Sequence, residues 1–575
     1  MLKKVLLKIS KIGNLVFSWF NFCMFFAMRP CWSGISKTLG YESSKAEILL
    51  HLPVILCALF FAVAITTTLL FVLMKKEKNV RSYVFNGVNI VFFVAILVVI
   101  SLGAADYMDY IWPNFLKYVG IIILLIAIIF LIFYYPKTKL ANSKAFKITS
   151  ISVICTLVCL NIFNVTFNDI QTGAVVYAVE DEYQIVFSSR THSRAWVQIG
   201  EEKYFDNYNG SNRSYTQIHK VCIPMNVLNE AKEYEIYVQK ITYEGPFGGY
   251  MGADISRKYN FTPIDTSDGL NYYSLSDIHM AGDAAIAAAS HDKDMELLVV
   301  AGDIVSMMDT FYDANLVNDY AHAITKGSIP VIYARGNHEI KGKYSEEFHK
   351  FVGASGEKFY YNIELEGLYG VVLDMGEDHE DEYWEYYDTA YYDEYRNEQI
   401  EFLKEEVKLE KYKNADYRLA VSHIPVAFIN SRRDHMDPKT KMTEELNKMG
   451  INMMISGHQH DLYVFEPGTI KYNEDGKMAY NSQYSKSKPI KSLVTDHNFL
   501  NILVSKRGHS QTDSMPLTDY SSHIGMQTIV DFKNNKQTCI YNDSDGKKIP
   551  VVNAFVEGLD YGTEMVFDLS TGKHI

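Results

Sequence analysis

Apolar positions are spread unevenly along the chain. Before about residue 168 they run together in long unbroken stretches, and after it they alternate with polar residues or come in short aliphatic bursts. Residues 49–74, 82–105, 118–135 and 148–168 contain no Asp, Glu, Lys or Arg. At roughly 18 to 26 residues, each is long enough to cross a hydrocarbon core. A weaker candidate covers residues 12–28. The pattern predicts a helical transmembrane anchor over residues 1–170 with four or five spans and with membrane lipid as a partner. Lys75, Lys76, Lys78 and Arg81 follow the first strong span, and Lys137, Lys139, Lys144 and Lys147 precede the last. Positive loops stay in the cytoplasm, so the expected localisation is a multi-pass cell-membrane protein whose remainder is extracytoplasmic. The spans lack the ionisable side chains that transport pathways use, which favours an anchor over a transporter.

From residue 173 to 264 the pattern becomes period-two alternation broken by turn residues. Candidate strands are 183–188, 195–199, 220–224, 234–242 and 258–261, and short strands at this spacing suggest a small β-sandwich. Leu228 lies six residues before Tyr234, which opens an alternating strand. That pair resembles the tyrosine corner of fibronectin type III domains. The sequons at Asn209 and Asn212 imply glycosylation only in a eukaryotic setting.

After residue 268 the rhythm is aliphatic strand, polar turn and helical stretch, repeated to residue 575, which indicates an α/β domain. The short strands are 272–275, 297–301, 330–333, 418–421 and 453–455, and 392–409 is a helical stretch. Each strand ends in a polar turn: SDIH (276–279), GDIV (302–305), GNHE (336–339), SHIP (422–425) and GHQH (457–460). Ligands collect at the carboxyl ends of strands in such sheets. The turns offer Asp277, His279, Asp303, Asn337, His423, His458 and His460, a set of carboxylates, imidazoles and one amide without thiolate. Hard or borderline divalent metals accept that mixture. Seven donors exceed the needs of one tetrahedral ion and suit two ions sharing a carboxylate.

The ordered set D-x-H, G-D, G-N-H-E, H and G-H-x-H resembles the calcineurin-like metallophosphoesterase family, closely over about residues 272–462 and loosely to 575. The resemblance implies a β-sandwich flanked by helices, and two divalent ions of which Mn, Fe and Zn all remain open. It implies that Asp277, His279 and His460 hold the first ion, that Asn337, His423 and His458 hold the second, and that Asp303 bridges them. It further implies that a hydroxide between the metals attacks a phosphomonoester or phosphodiester substrate. His338 would stabilise the transition state or protonate the leaving oxygen. Purple acid phosphatases, which carry a sandwich before the catalytic domain, place a metal-binding Tyr where this chain has Ser306, and they lack the counterpart of His279. A ferric site with its tyrosinate colour is therefore not expected.

The net charge of −13 argues against a nucleic-acid-binding surface. Seven cysteines are scattered without a C-x-x-C pair in the polar half, where Cys222 and Cys539 stand alone, so no zinc ribbon or disulfide scaffold is supported. Inserts are expected near residues 377–398 and 472–522. The first, continuing to residue 401, is dense in acid and tyrosine, and reads either as a solvated insertion or as a lid with stacking aromatics that disfavours polyanions. A hairpin is expected around Asn534 and Asn535. The remaining histidines, among them His291, His322, His349, His379, His435, His497, His509 and His523, stand outside the motif set. The alternative function is a catalytically idle receptor ectodomain on the same fold; turnover of simple phosphate esters separates the two.

Overall fold

The computed structural model describes residues 15–25, 59–64, 89, 91, 94, 96, 168–206, 214–245, 248–430, 435–460, 462–467, 492–494, 497–504, 523–552 and 559–575. The chain divides into two compact units, Met1–Phe167 and Asn168–Ile575.

In the first unit residues 15–25 and 59–64 are helical. Ser18, Asn21 and Asn89 are buried. The Asn89 side-chain amide donates to Ser18 Oγ at 2.9 Å, and Asn21 Nδ2 donates to the Asn89 carbonyl at 2.9 Å. Phe25 stacks on Phe60 with centroids 4.8 Å apart. The transmembrane anchor and the multi-pass membrane localisation require correction here. Among the described residues no helix is long and apolar enough to cross a membrane. The physical reason is that an uncharged run reports burial of a helix on all sides without saying in what. Packing against other helices, with the few polar groups tied to one another, produces the same run. Most of residues 49–74, 82–105 and 118–135, and all but the end of 148–168, lie outside the described residues.

The second unit is built on two sheets. The larger is twelve-stranded among the described residues, and its centre holds the parallel strands Leu270–Leu275, Leu297–Ala301 and Pro330–Ala334. Leu297–Ala301 and Pro330–Ala334 are buried along their whole length. That is the condition of parallel strands covered on both faces, and their unbroken aliphatic sequence follows from it. The second sheet runs Tyr361–Leu365, Leu368–Leu373, Tyr417–Ser422, Met453–Ser456, Leu500–Leu503 and Tyr463–Phe465. One core joins the sheets. Tyrosine hydroxyls stitch them together: Tyr272 meets Tyr417 at 2.9 Å, and Tyr361 donates to the Tyr333 carbonyl at 2.6 Å. Helices flank this pair. Phe311–Thr325 begins with a capping box between Thr310 and Asp313, and Met436–Met449 stops at Gly450, whose φ of 62° ends the turn.

The separate small sandwich also requires correction. Val175–Val179 pairs in parallel with Pro330–Ala334, so the strands between residues 175 and 260 continue the large sheet. The Tyr234 hydroxyl donates to the carbonyl of Gly327 at 2.7 Å, ninety-three positions away, instead of closing a local corner. The strands read at 183–188 and 195–199 are one strand, Glu182–Ile199. Its two halves pair with different neighbours, Thr216–Pro224 and Glu233–Gly245, across a register shift between Ser188 and Ser193. The hairpin around Asn535 is present as Gly525–Asp531 against Lys536–Asn542. Cys222 and Cys539 are free thiols. Asn209, Asn212 and most of 472–522 lie outside the described residues.

Candidate metal centre

Three parallel strands of the large sheet and two of the second end at the same place. The turn after Leu270–Leu275 docks on the turn after Leu297–Ala301. Asp277, His279 and Met280 donate their amides to the carbonyls of Gly302, Asp303 and Ile304, each at 3.0 Å. Gly302 lies at φ 76°, and a Cβ there would meet the Gly336 nitrogen at 2.6 Å, so only glycine lets the second and third turns touch. A Cβ on Gly457 would stand 2.6 Å from Asp277 Oδ2, which fixes glycine before the last turn in the same way.

The turns place Asp277, His279, Asp303, His458 and His460 at φ values from 45° to 70°. Each such non-glycine residue costs on the order of 1 kcal/mol or more and persists where its surroundings over-determine it. Five together mark the site independently of any motif.

Asp277 and Asp303 each have one oxygen tied and one aimed inward. Asp277 Oδ2 accepts from the His458 amide at 2.9 Å, and Oδ1 faces His460 Nε2 at 3.3 Å and His279 Nε2 at 3.8 Å. Asp303 Oδ1 accepts from the His338 amide at 3.0 Å. Its Oδ2 faces His423 Nε2 at 3.1 Å, His279 Nε2 at 3.7 Å and His338 Nε2 at 3.7 Å. His279 and His460 bring their Nε2 atoms to 3.2 Å. Asn337 Oδ1 stands 3.2 Å from His423 Nε2 and 3.2 Å from His458 Nδ1. His423 Nδ1 donates to the Ala301 carbonyl at 2.7 Å, so in the neutral ring Nε2 carries the inward lone pair.

These atoms form two overlapping groups able to hold an ion: Asp277, His279, Asp303 and His460, and Asp303, His423 and His458. Asp303 belongs to both. Two ligand atoms about 2.1 Å from one ion at the tetrahedral angle stand about 3.4 Å apart. The 3.1–3.8 Å separations quoted above match the edges of such a polyhedron, and an all-oxygen and imidazole donor set suits divalent ions. The residues present therefore fit a pair of metals.

Burial alone would raise the Asp303 carboxyl; His423, His338 and His279 overcome it and hold the group well below the usual carboxylate range. Burial would lower the His423 imidazole, but the Asp303 charge beside it pushes it up. Burial pulls His460 down, towards the neutral form that ligates.

Residues 271–462 match the family model described as calcineurin-like phosphoesterase. They are a calcineurin-like phosphoesterase domain. No curated protein matches the chain. Among solved structures, a purple acid phosphatase from yellow lupin (Lupinus luteus) seeds is similar at 12% identity and TM-score 0.42, over 66% of this chain and 72% of that one. A structure of PhoD is similar at 12% identity and TM-score 0.37, over 70% and 91%. GAP50, the anchor in the inner membrane complex of Plasmodium, is similar at 13% and 0.31, over 51% and 90%. The family match, and not these likenesses, identifies the domain.

Two features of this phosphoesterase domain escaped the motif reading. The first is Glu339, wholly buried, which takes four backbone amides. Its Oε2 accepts from Asp303 at 2.9 Å and Gly336 at 2.7 Å, and its Oε1 from Ile304 at 2.6 Å and Val305 at 3.1 Å. Burial and the Asp303 charge push the Glu339 carboxyl up, against the amides that favour its ionised form. Glu339 thus locks the second turn to the third, and its place inside G-N-H-E was the available signal. Glu339→Gln turns an amide NH2 towards these donors, and denaturant unfolding of the metal-free protein should show a loss of about 2 to 4 kcal/mol. The second feature is Glu377 and Asp378, both buried beside the second ligand group. They follow the aliphatic strand Leu368–Leu373, the same strand-then-turn signal as the five motifs, but open a run that reads as solvated.

None of the other histidines belongs to either ligand group among the described residues. His379 stacks on Tyr383 at 3.5 Å, and His435 Nδ1 meets Asp393 at 2.9 Å. Elsewhere Ser189, His219 and Asp206 are linked in line at 3.1 and 2.6 Å, but Ser189 and His219 are fully enclosed, so this is a sealed polar network within the sheet.

Proposed function

We propose that the chain is a binuclear metal-dependent phosphoric ester hydrolase acting on phosphomonoesters or phosphodiesters. The observation that carries this reading is the pair of ligand groups sharing Asp303, with His338 beside the shared carboxylate. Asp277, His279 and His460 would hold one divalent ion, Asn337, His423 and His458 the other, and Asp303 both. Bound there, the ions supply an activated water and offset charge on the phosphoryl oxygens. Mn, Fe and Zn all suit the donors.

The chain's own contribution begins with position. The αL turns and Glu339 fix the ligands before any ion arrives, so little reorganisation accompanies binding. His338 differs from the ligands in being partly open, at 28% side-chain exposure. Its Nδ1 donates to the Ser306 carbonyl at 2.9 Å, which leaves Nε2 facing the site. As an imidazolium it gives the Nε2 proton to the departing oxygen, and the neutral ring stays held by Ser306.

Incubating the chain with p-nitrophenyl phosphate and bis-p-nitrophenyl phosphate in the presence of Mn tests the proposal. Turnover of at least one, abolished by a chelator and restored by Mn, is expected. Bound metal with no turnover of either would instead favour an idle binding protein.

A further inference from the structure

We propose that Glu377 and Asp378 are positioning residues that set the second ligand group, each fixing the orientation of one of its side chains. The inference rests on the binuclear reading above.

Asn337 has to present its oxygen and not its nitrogen to a cation. Its Nδ2 lies 3.3 Å from both carboxylate oxygens of Glu377, which can only accept. The amide oxygen is thereby turned to the opposite side, where it faces His423 and His458. His458 needs a lone pair on the nitrogen facing Asn337. Its Nε2 lies 3.0 and 3.1 Å from the two oxygens of Asp378, so Nε2 carries the hydrogen and Nδ1 is left as the donor atom. Adjacent residues thus act on two ligands contributed by separate turns.

The dipeptide is itself held firmly. Arg396, fully buried on the helix Tyr392–Glu406, donates to the Met375 carbonyl at 3.0 Å and the Glu377 carbonyl at 2.5 Å. The Gly376 amide donates to Asp374 Oδ1 at 3.0 Å, and the His435 amide to the Asp378 carbonyl at 2.7 Å. Lys341 forms an ion pair with Glu377. Arg396 contacts backbone carbonyls and Asp393, so charge balance for that arginine does not explain the two acids. The two acids contact Asn337 and His458, both assigned above to the second ion.

Outer carboxylates that orient a ligand are worth about 10- to 100-fold in metal affinity. Titration of the full chain with Mn, following free Mn by its paramagnetic resonance, tests the proposal without an activity readout. The native chain should take two ions. Asp378→Ala and Glu377→Ala should each weaken one of them by about 10- to 100-fold and leave the other unchanged. Asp378→Asn, whose amide oxygen still accepts from Nε2, should fall between native and alanine. If both ions bind the variants as they bind the native chain, the inference is overturned while the binuclear reading stands. If both weaken equally with a lowered melting temperature, the two acids are merely structural, and the inference is again overturned. A native chain that takes no Mn would remove the binuclear reading itself.

Discussion

Replacing Asp303 by alanine is expected to empty both ligand groups at once and to reduce phosphate-ester hydrolysis to background. One oxygen of this side chain faces His423 on one side and His279 on the other, and it belongs to both clusters. The other oxygen anchors the His338 amide, so the substitution also releases the third turn. Asp303→Asn separates shape from charge. It keeps the side-chain volume but removes the anion that two neighbouring dications require, and it should bind metal nearly as poorly as alanine. Metal analysis after dialysis against Mn, with turnover measured on the same samples, checks both variants. Retention of two ions by Asp303→Ala would contradict the shared-ligand assignment.

His338→Ala is expected to leave the metal content at the native value and to slow turnover of an alkyl phosphate by about 100-fold. His338 contributes no atom to either ligand group. Its Nε2 stands 3.7 Å from Asp303 Oδ2 on the open side of the centre. Because a general acid matters most when the leaving group is basic, the loss should be smaller with p-nitrophenyl phosphate. Comparing kcat for the two esters reads this out, and an equal loss on both would assign His338 to stabilising phosphoryl charge instead.

The seven proposed ligands were legible because each sits in the first residues after a strand, where chain direction alone brings it to the sheet edge. Glu377 and Asp378 obey the same rule, yet the acids and tyrosines that follow them disguised it. Trp384, Tyr387 and Tyr391 in that run are exposed, so its solvated reading holds for the middle and fails at the start. The strand Glu182–Ile199 reads as two because Arg190, Thr191 and His192 interrupt the alternation, where the register shifts and the partners change. Tyr234 looked like a local corner because hydropathy carries no information about which distant carbonyl a hydroxyl reaches. The anchor is over-read for a similar reason: among the described residues Ser18, Asn21 and Asn89 find one another, and a lack of charge does not name what surrounds a helix.

The central claim is that side chains from five turns surround a pair of divalent ions with Asp303 between them. Anomalous diffraction from crystals of the chain grown with Mn tests it most directly. Two peaks about 3.5 to 4 Å apart are expected, one among Asp277, His279 and His460, the other among Asn337, His423 and His458. A single peak, or none at saturating Mn, would contradict the account.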